Sequence, residues 1–390
     1  MTRNALNVCM YTPSADGGHA LYTQELLTAL AEVGPSRGIA AELVTAEDLA
    51  EVNQASCYPI HMILPRLVPR REFSSPLSWV TSRLAYYSRR ERTFLDWVAT
   101  RRDLDLIHFQ EYTPWLAPRH YRKLRRRGLA LVFTVHNVLA HYCHNSIHRR
   151  MRDSTLRSAW RECDALLVHS DGLRDALSDF LGPGHPPIHV TAHGVWRCHG
   201  RAATDSVEDA VERPRLLFFG VIRPNKGLHV LLEALERLPH CDVTVAGAGD
   251  EPNYNDRIRT LVNRFAPGRV EWIDRYIAES EIPALFEKCQ LVVLPYTFFN
   301  SQSGVLLQAL AYQRPVVASD LGAMGECVKQ WQIGPVVSPG DAVALAHGIE
   351  QALEPESYRQ SVQAIARVRS ELTWSRMADA TIDVYQSIVA

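Results

Sequence analysis

Short apolar runs, many of them β-branched, recur along the chain. Each leads into a turn and then into a stretch with apolar residues three or four apart. Leu6–Tyr11 is the first such run. It passes through a loop at Ser14–His19 into a helix predicted over Leu21–Val33, with Leu21, Leu26, Leu27 and Leu30 on one face. Further strands are predicted at Leu106–Phe109, Ala130–Val135 and Ala165–His169, and at residues 186–190 running into Thr191–Gly194. Residues 197–213 are small, polar and without period, as in a linker. The series then restarts at Leu216–Gly220 and continues through Val243–Ala246, Val270–Ile273, Leu291–Pro295 and Pro315–Ser319. Tyr358–Val389 has helical spacing, broken near Thr373–Trp374. Such alternation predicts α/β architecture: two Rossmann-like doubly wound domains facing a cleft lined by strand C-terminal ends, where these sheets bind ligands.

Length and composition agree with this reading. The 390 residues favour two domains, and 46% hydrophobic with 22% charged residues is ordinary globular usage. Of the 42 Lys and Arg and the 43 Asp and Glu, residues 1–200 hold 24 and 19, leaving 18 and 24 beyond. This mild asymmetry is too weak to imply nucleic acid, but it suits an acceptor side that meets an anionic surface. The eight cysteines form no Cys-x-x-Cys pair, no run of 18 apolar residues occurs, and Ala5–Tyr11 has no signal-peptide flanks. The expectation is a cytoplasmic protein, with peripheral contact at the inner face of an anionic membrane left open. Oligomeric state is not legible.

The strongest local signal is Phe218-Phe219-Gly220-Val221-Ile222-Arg223-Pro224-Asn225-Lys226-Gly227-Leu228 ahead of a helix. Arg223 and Lys226 near a helix N-terminus suit a diphosphate, and a solvated basic turn is the plainer alternative. At an effective dielectric of about 20, a cation ~4 Å from a phosphate charge gains roughly 4 kcal/mol before desolvation. A second signal is Tyr296–Ala309, in which Ser303, Gly304, Val305 and Leu306 open a buried helix and can offer backbone N–H groups to phosphate. Gln308, one turn on, can bond ribose hydroxyls, although Ser and Gln near a helix start also serve as plain caps. A third is Asp16-Gly17-Gly18-His19, which falls short of a dinucleotide fingerprint; Gly247-Ala248-Gly249-Asp250 reads only as a turn.

His136 follows a predicted strand and is placed to position an acceptor hydroxyl or a donor sugar. His141, Cys143, His144 and His148 lack a partner that would complete a zinc set, and polar loop histidines are the better reading. Asp103-Leu104-Asp105 precedes its strand rather than following it, so it reads as a surface turn and not a metal site. No metal and no cofactor are expected. Arg119–Arg127, with six Lys and Arg in nine residues, reads first as a solvated helix face, then as a contact for an anionic membrane or phosphorylated acceptor.

Together these segments resemble glycosyltransferase family four, the retaining group 1 glycosyltransferases of GT-B architecture, over nearly the whole chain. The resemblance rests on Gly17–Gly18, Thr134-Val135-His136 and Ala165–Ser170. It continues through His193-Gly194-Val195, Arg223…Lys226-Gly227 and Ser303–Asp320 with Arg314–Ala318. It implies an acceptor-binding domain at 1–196, a linker at 197–213, a nucleotide-sugar-binding domain at 214–372, and a helix at 373–390 returning to the first domain. It further implies transfer of a sugar from a nucleotide diphosphate-sugar to a hydroxyl of a glycan, glycolipid or small molecule. Arg223 and Lys226 would hold the diphosphate, and Gly17 and Gly18 would face the donor. His136 would lie by the transferred sugar or acceptor, and Ser303–Leu306 would contact the phosphate. The family's paired glutamates fall on Asn300 and Gln308, both neutral amides here. Neutral acceptors bind hydroxyls less strongly than ionised ones, so a weak or inactive binding homologue stands as the alternative, beside an epimerase of the same fold.

Overall fold

The computed structural model describes residues 5–14, 17–49, 56–67, 75–138, 147–197, 213–249, 251–299 and 303–389. The chain divides into two compact units, residues 1–193 with 374–390 and residues 194–373.

Among the described residues, unit one is built on a seven-stranded parallel sheet in the order β3-β2-β1-β4-β5-β6-β7. Its elements are β1 (Leu6–Tyr11), α1 (Gly17–Val33), β2 (Ile39–Ala46), β3 (Ile60–Leu64), α2 (Pro76–Thr100), β4 (Leu106–Phe109) and α3 (Ala117–Arg125). After them come β5 (Ala130–Thr134), α4 (Ile147–Trp160), β6 (Ala165–Val168), α5 (Asp171–Leu181) and β7 (Ile188–Val190). The central strands are continuous apolar runs because both sheet faces are covered: all four residues of β4 and of β6 are buried. Tyr11, Phe94, Phe109 and Tyr121 are fully buried and stack in one core.

The C-terminal helix, Trp374–Val389, completes unit one by packing on α1. Arg37 just beyond α1 bonds Asp379 at 3.2 Å and Asp383 at 2.7 Å on that helix. Buried Tyr385 places its hydroxyl 2.6 Å from His108 Nδ1 on β4.

Unit two carries a six-stranded parallel sheet among the described residues, in the order β10-β9-β8-β11-β12-β13. Its first half runs β8 (Arg215–Phe219), α6 (Leu228–Leu235), β9 (Asp242–Ala246), α7 (Pro252–Val262), β10 (Val270–Ile273) and α8 (Ile282–Lys288). The second half is β11 (Leu291–Leu294), α9 (Gly304–Ala311), β12 (Val316–Ser319), α10 (Gly322–Trp331), β13 (Val336–Val337), α11 (Ala342–Leu353) and α12 (Pro355–Glu371). Residues 194–197 belong to this unit: the Val195 N–H donates to the Leu372 carbonyl, and the Trp196 indole N–H to the Gly304 carbonyl at 3.0 Å. In each sheet the strand order reverses beside the first strand, so loops leaving the C-terminal ends of β1 and β4, and of β8 and β11, open at a switch point where such sheets take ligands. Among the described residues, no helix is long and apolar enough to cross a membrane.

Candidate functional site

In unit one, a group of histidines gathers behind the strand ends. β1 delivers the chain to Gly17 and Gly18, which open α1. Gly17 has φ of 76°, a left-handed conformation that suits glycine, whereas a Cβ on Gly18 would meet nothing within 4 Å. The next residue, His19, stacks on His136 with ring centres 4.4 Å apart. His136 lies two residues past the end of β5, which stops at Thr134 and not at Val135. Tyr22, buried on α1, packs against His136, His169, His193 and Trp374 with ring centres 4.8 to 5.6 Å away. The structure thus brings Gly17, Gly18 and His136 together. It adds His19, His169 and His193, which lie inside motifs of the sequence without a role of their own there, and Gln110 and Glu111, which do not stand out in it. Their common signal is position, since His169, like Gln110, is the residue directly after a strand.

The hydrogen bonds of this cluster fix its protons. His136 Nε2 lies 3.0 Å from Gln110 Oε1, and its Nδ1 lies 3.2 Å from His169 Nε2. His169 donates from Nδ1 to the Thr191 carbonyl at 3.0 Å. If His136 is neutral and donates from Nε2, two lone pairs face each other across the His136–His169 contact. Turning the Gln110 amide end for end removes the conflict: its N–H donates to His136, His136 Nδ1–H donates to His169, and His169 donates to Thr191. Burial favours this uncharged set. Desolvation, with His19 and His169 close by, pushes His136 well below the usual histidine range, and desolvation lowers His169 to about 4. Both nitrogens of His136 are therefore engaged, and a bound hydroxyl must displace Gln110 to reach Nε2.

Glu111 stands at the edge of this cluster. Its Oε1 accepts from Ser14 Oγ at 2.5 Å and faces His19 Nδ1 at 2.8 Å. Burial alone would raise this carboxyl, but the bonds from His19 and Ser14 and the Arg90 charge hold it below its ordinary value.

Unit two assembles the second group. Past Gly220, residues Pro224–Lys226 form one tight turn that ends at Gly227, with φ of 72°. A Cβ on Gly227 would stand 1.8 Å from the Pro295 carbonyl oxygen, so only glycine lets this turn lie against the chain leaving β11. The contact is locked on both sides. Buried Asn225 donates from Nδ2 to the Phe298 carbonyl at 3.3 Å, and its own carbonyl accepts the Thr297 N–H at 2.9 Å. Lys226 Nζ then lies 3.9 Å from the Tyr296 ring centre and 4.6 Å from that of Phe299. Such contacts are worth about 0.5–2 kcal/mol and hold an ammonium without neutralising it.

Tyr296 passes the connection to α9: its hydroxyl lies 3.2 Å from Ser303 Oγ. Ser303 is the N-cap, and its hydroxyl accepts the Leu306 N–H at 3.4 Å. Of the predicted phosphate donors, Leu306 is thereby occupied by the cap. The Gly304 and Val305 amides are left as first-turn N–H groups without an i−4 partner. Gly220 meets this helix directly, since a Cβ there would stand 3.5 Å from Val305 Cγ2. Lys226, Ser303, Gly304 and Val305 thus converge, Arg223 opens the turn that carries Lys226, and Gln308 is half-buried one turn further along α9. Asn300 lies outside the described residues. Asn225, Tyr296 and Phe299 carry the geometry without standing out in the sequence as site residues.

The weaker sequence signals resolve as framework. Asp105 accepts the Asn7 N–H at 3.0 Å and Asp103 pairs with Arg101 at 2.7 Å, so this carboxylate pair serves a turn. Within the basic run, Arg122 reaches Glu162 at 3.3 Å and Arg125 reaches Asp164 at 2.9 Å, on an exposed face of α3. Gly249 forms a bridge with Ile222, so the glycine turn after β9 braces the Arg223 turn; Asp250 lies outside the described residues. His141, Cys143, His144 and the His148 side chain also lie outside them.

Residues 16–196 match the model of Glycosyltransferase Family 4, and residues 213–355 match that of Glycosyl transferases group 1. A glycogen synthase of Mycobacterium tuberculosis is 29% identical over 239 residues, covering 58% of this chain and 54% of that protein. A GDP-mannose:glycolipid 4-beta-D-mannosyltransferase of Xanthomonas campestris is 32% identical over 202 residues, covering 50% of this chain and 52% of that protein. The chain spans about half the length of these relatives. Among solved structures, sucrose-phosphate synthase from Thermosynechococcus elongatus shares the fold with a TM-score of 0.72 at 20% identity, over 98% of this chain and 99% of that one. Two parallel-sheet α/β units of this kind are the GT-B architecture. With one family model matching each half, the chain belongs to glycosyltransferase family four, the group 1 glycosyltransferases.

Proposed function

We propose that the chain moves a glycosyl group from a nucleoside diphosphate sugar to an acceptor hydroxyl, with retention and without a metal ion. One observation carries the reading: the Lys226–Tyr296–Ser303 connection ties a cationic turn to the first turn of α9. Arg223 and Lys226 would bind the diphosphate from one side, and the Gly304 and Val305 amides from the other. Negative charge grows on that diphosphate as the glycosidic bond breaks, so fixed donors stabilise the transition state more than the ground state. Tyr276, 70% exposed just past β10, would stack the base, and the Arg275–Glu281 pair would brace that loop.

His136 would position the transferred sugar or acceptor rather than take a proton, because both its nitrogens are engaged. The acceptor's proton would then go to the departing phosphate, which is compatible with retention without a glycosidase-type carboxylate pair. The names of the relatives support a sugar-nucleotide donor and a glycan or glycolipid acceptor. The test is nucleoside diphosphate release from UDP-, GDP-, ADP- and dTDP-sugars with a panel of glycosides, with the product anomer read by NMR and a parallel series in chelator. Release from none of them removes the reading. Gln308 favours the second reading, a binding homologue, in which nucleotide binds and no release follows.

A further inference from the structure

The chain passes from unit one to unit two between His193 and Gly194, and returns between Thr373 and Trp374. Just inside unit two the outgoing and returning segments are joined, because the Val195 N–H donates to the Leu372 carbonyl at 2.9 Å. Trp196, the next residue, therefore approaches α9 from a fixed backbone. Its side chain is buried, and a buried indole N–H needs an acceptor. That acceptor is the Gly304 carbonyl at 3.0 Å, 108 residues further along the chain, at the first residue of α9.

The Gly304 carbonyl belongs to the peptide unit whose N–H is that of Val305. A peptide unit is planar, so a bond that fixes the direction of its C=O also fixes the direction of its N–H. Helical geometry already directs the N–H four residues on to such a carbonyl, and the second lone pair is open to the indole. A further donor on the oxygen polarises the peptide and makes its N–H a stronger donor. Ser303 holds the same turn from its own end: its hydroxyl accepts the Leu306 N–H at 3.4 Å and its carbonyl the Leu307 N–H at 3.3 Å. Neither bond touches the peptide between Gly304 and Val305. Trp196 anchors that unit from outside the helix.

We infer that Trp196 is a positioning residue for the donor: through the Gly304 carbonyl it aims the Val305 N–H at the diphosphate. The inference rests on the phosphate role that the proposed function gives to Val305. Two substitutions separate the N–H from the packing. Trp196→Phe keeps a six-membered aromatic ring and removes the donor. Trp196→His leaves a larger void, but its Nε2 takes the place of the indole nitrogen and can donate at about pH 8. Both full-length variants and the parent are compared by calorimetric titration with UDP, GDP, ADP and dTDP, by donor and acceptor kinetics, and by thermal melting. Trp196→Phe should raise the nucleotide Kd about tenfold and lower the donor kcat/KM at least as much, with the acceptor KM moving less than about twofold. Trp196→His should melt below Trp196→Phe, yet keep its nucleotide Kd within about threefold of the parent's. A loss of nucleotide affinity that follows the melting temperature in both variants overturns the inference. So does a Trp196→Phe variant that binds and releases nucleotide like an active parent, and that result leaves the transferase reading standing. Weakened nucleotide binding in Trp196→Phe, with no nucleotide released from any donor sugar by the parent, supports the role of Trp196 and removes the transferase reading. A parent that binds none of these nucleotides removes both.

Discussion

Lys226 lies with its ammonium 3.9 Å from the ring centre of Tyr296, and the hydroxyl of the same tyrosine contacts the N-cap of α9. One aromatic ring therefore fixes both the cation and the helix start. Lys226→Ala should lower kcat/KM at least about 100-fold, or about 2.7 kcal/mol of transition-state stabilisation. Tyr296→Phe keeps the ring but frees Ser303, and should cost less. Nucleotide-release kinetics of both variants check the order.

Gly17 and Gly18 separate conformation from function. Gly17→Ala forces a side chain into a left-handed backbone and should destabilise by about 1 kcal/mol. Gly18→Ala meets open space at the start of α1 and should leave the melting temperature unchanged or slightly raised. If the donor approaches Gly18, the same variant should lose turnover. Calorimetry and kinetics on the two proteins make the comparison.

The histidine cluster sets an acid limit. Desolvation holds His108 at about 3 and His169 at about 4, while in the unfolded chain both titrate near the ordinary histidine value of 6.5. Below that value the unfolded state binds protons that the native state refuses. Stability should therefore be level above about pH 6.5 and fall as pH drops toward 3. Denaturant midpoints measured across that range should show the slope, and His169→Asn should flatten the part between about pH 4 and 6.5.

Gln308 offers a gain-of-function test. A carboxylate accepts a hydrogen bond roughly twice as strongly as a neutral amide. Gln308→Glu, alone or with Asn300→Glu, should therefore lower the donor KM about threefold or more if this position meets a donor hydroxyl. Donor titrations at saturating acceptor provide the measurement.

The parallel-sheet plan was legible because its strands are apolar runs with sharp ends. Leu106–Phe109 and Val270–Ile273 coincide with the observed strands, and the helix break at Thr373–Trp374 falls where the last two helices part. Ile39–Ala46 and Ile60–Leu64 were not legible as strands: Ala40, Ala41 and Glu42 interrupt the first, and His61 the second, as suits strands toward the sheet edge. In the site, Arg223 and Lys226 stood out by charge. Tyr296 and Phe299 did not, because an aromatic residue after an apolar strand looks like core until a lysine is seen above it. Glu111 escaped for a related reason: its role depends on Ser14 and His19, 97 and 92 residues away along the chain.

The helix Trp374–Val389 also governs when the first unit becomes whole. Residues 194–373 are contiguous, so a chain leaving the ribosome can close its second sheet while the first still lacks its last helix. Until that helix emerges, His108 has no Tyr385 and the aromatic ring of Tyr22 has no Trp374. The histidine cluster is thus closed only after the second unit has been made, although most of its residues precede that unit.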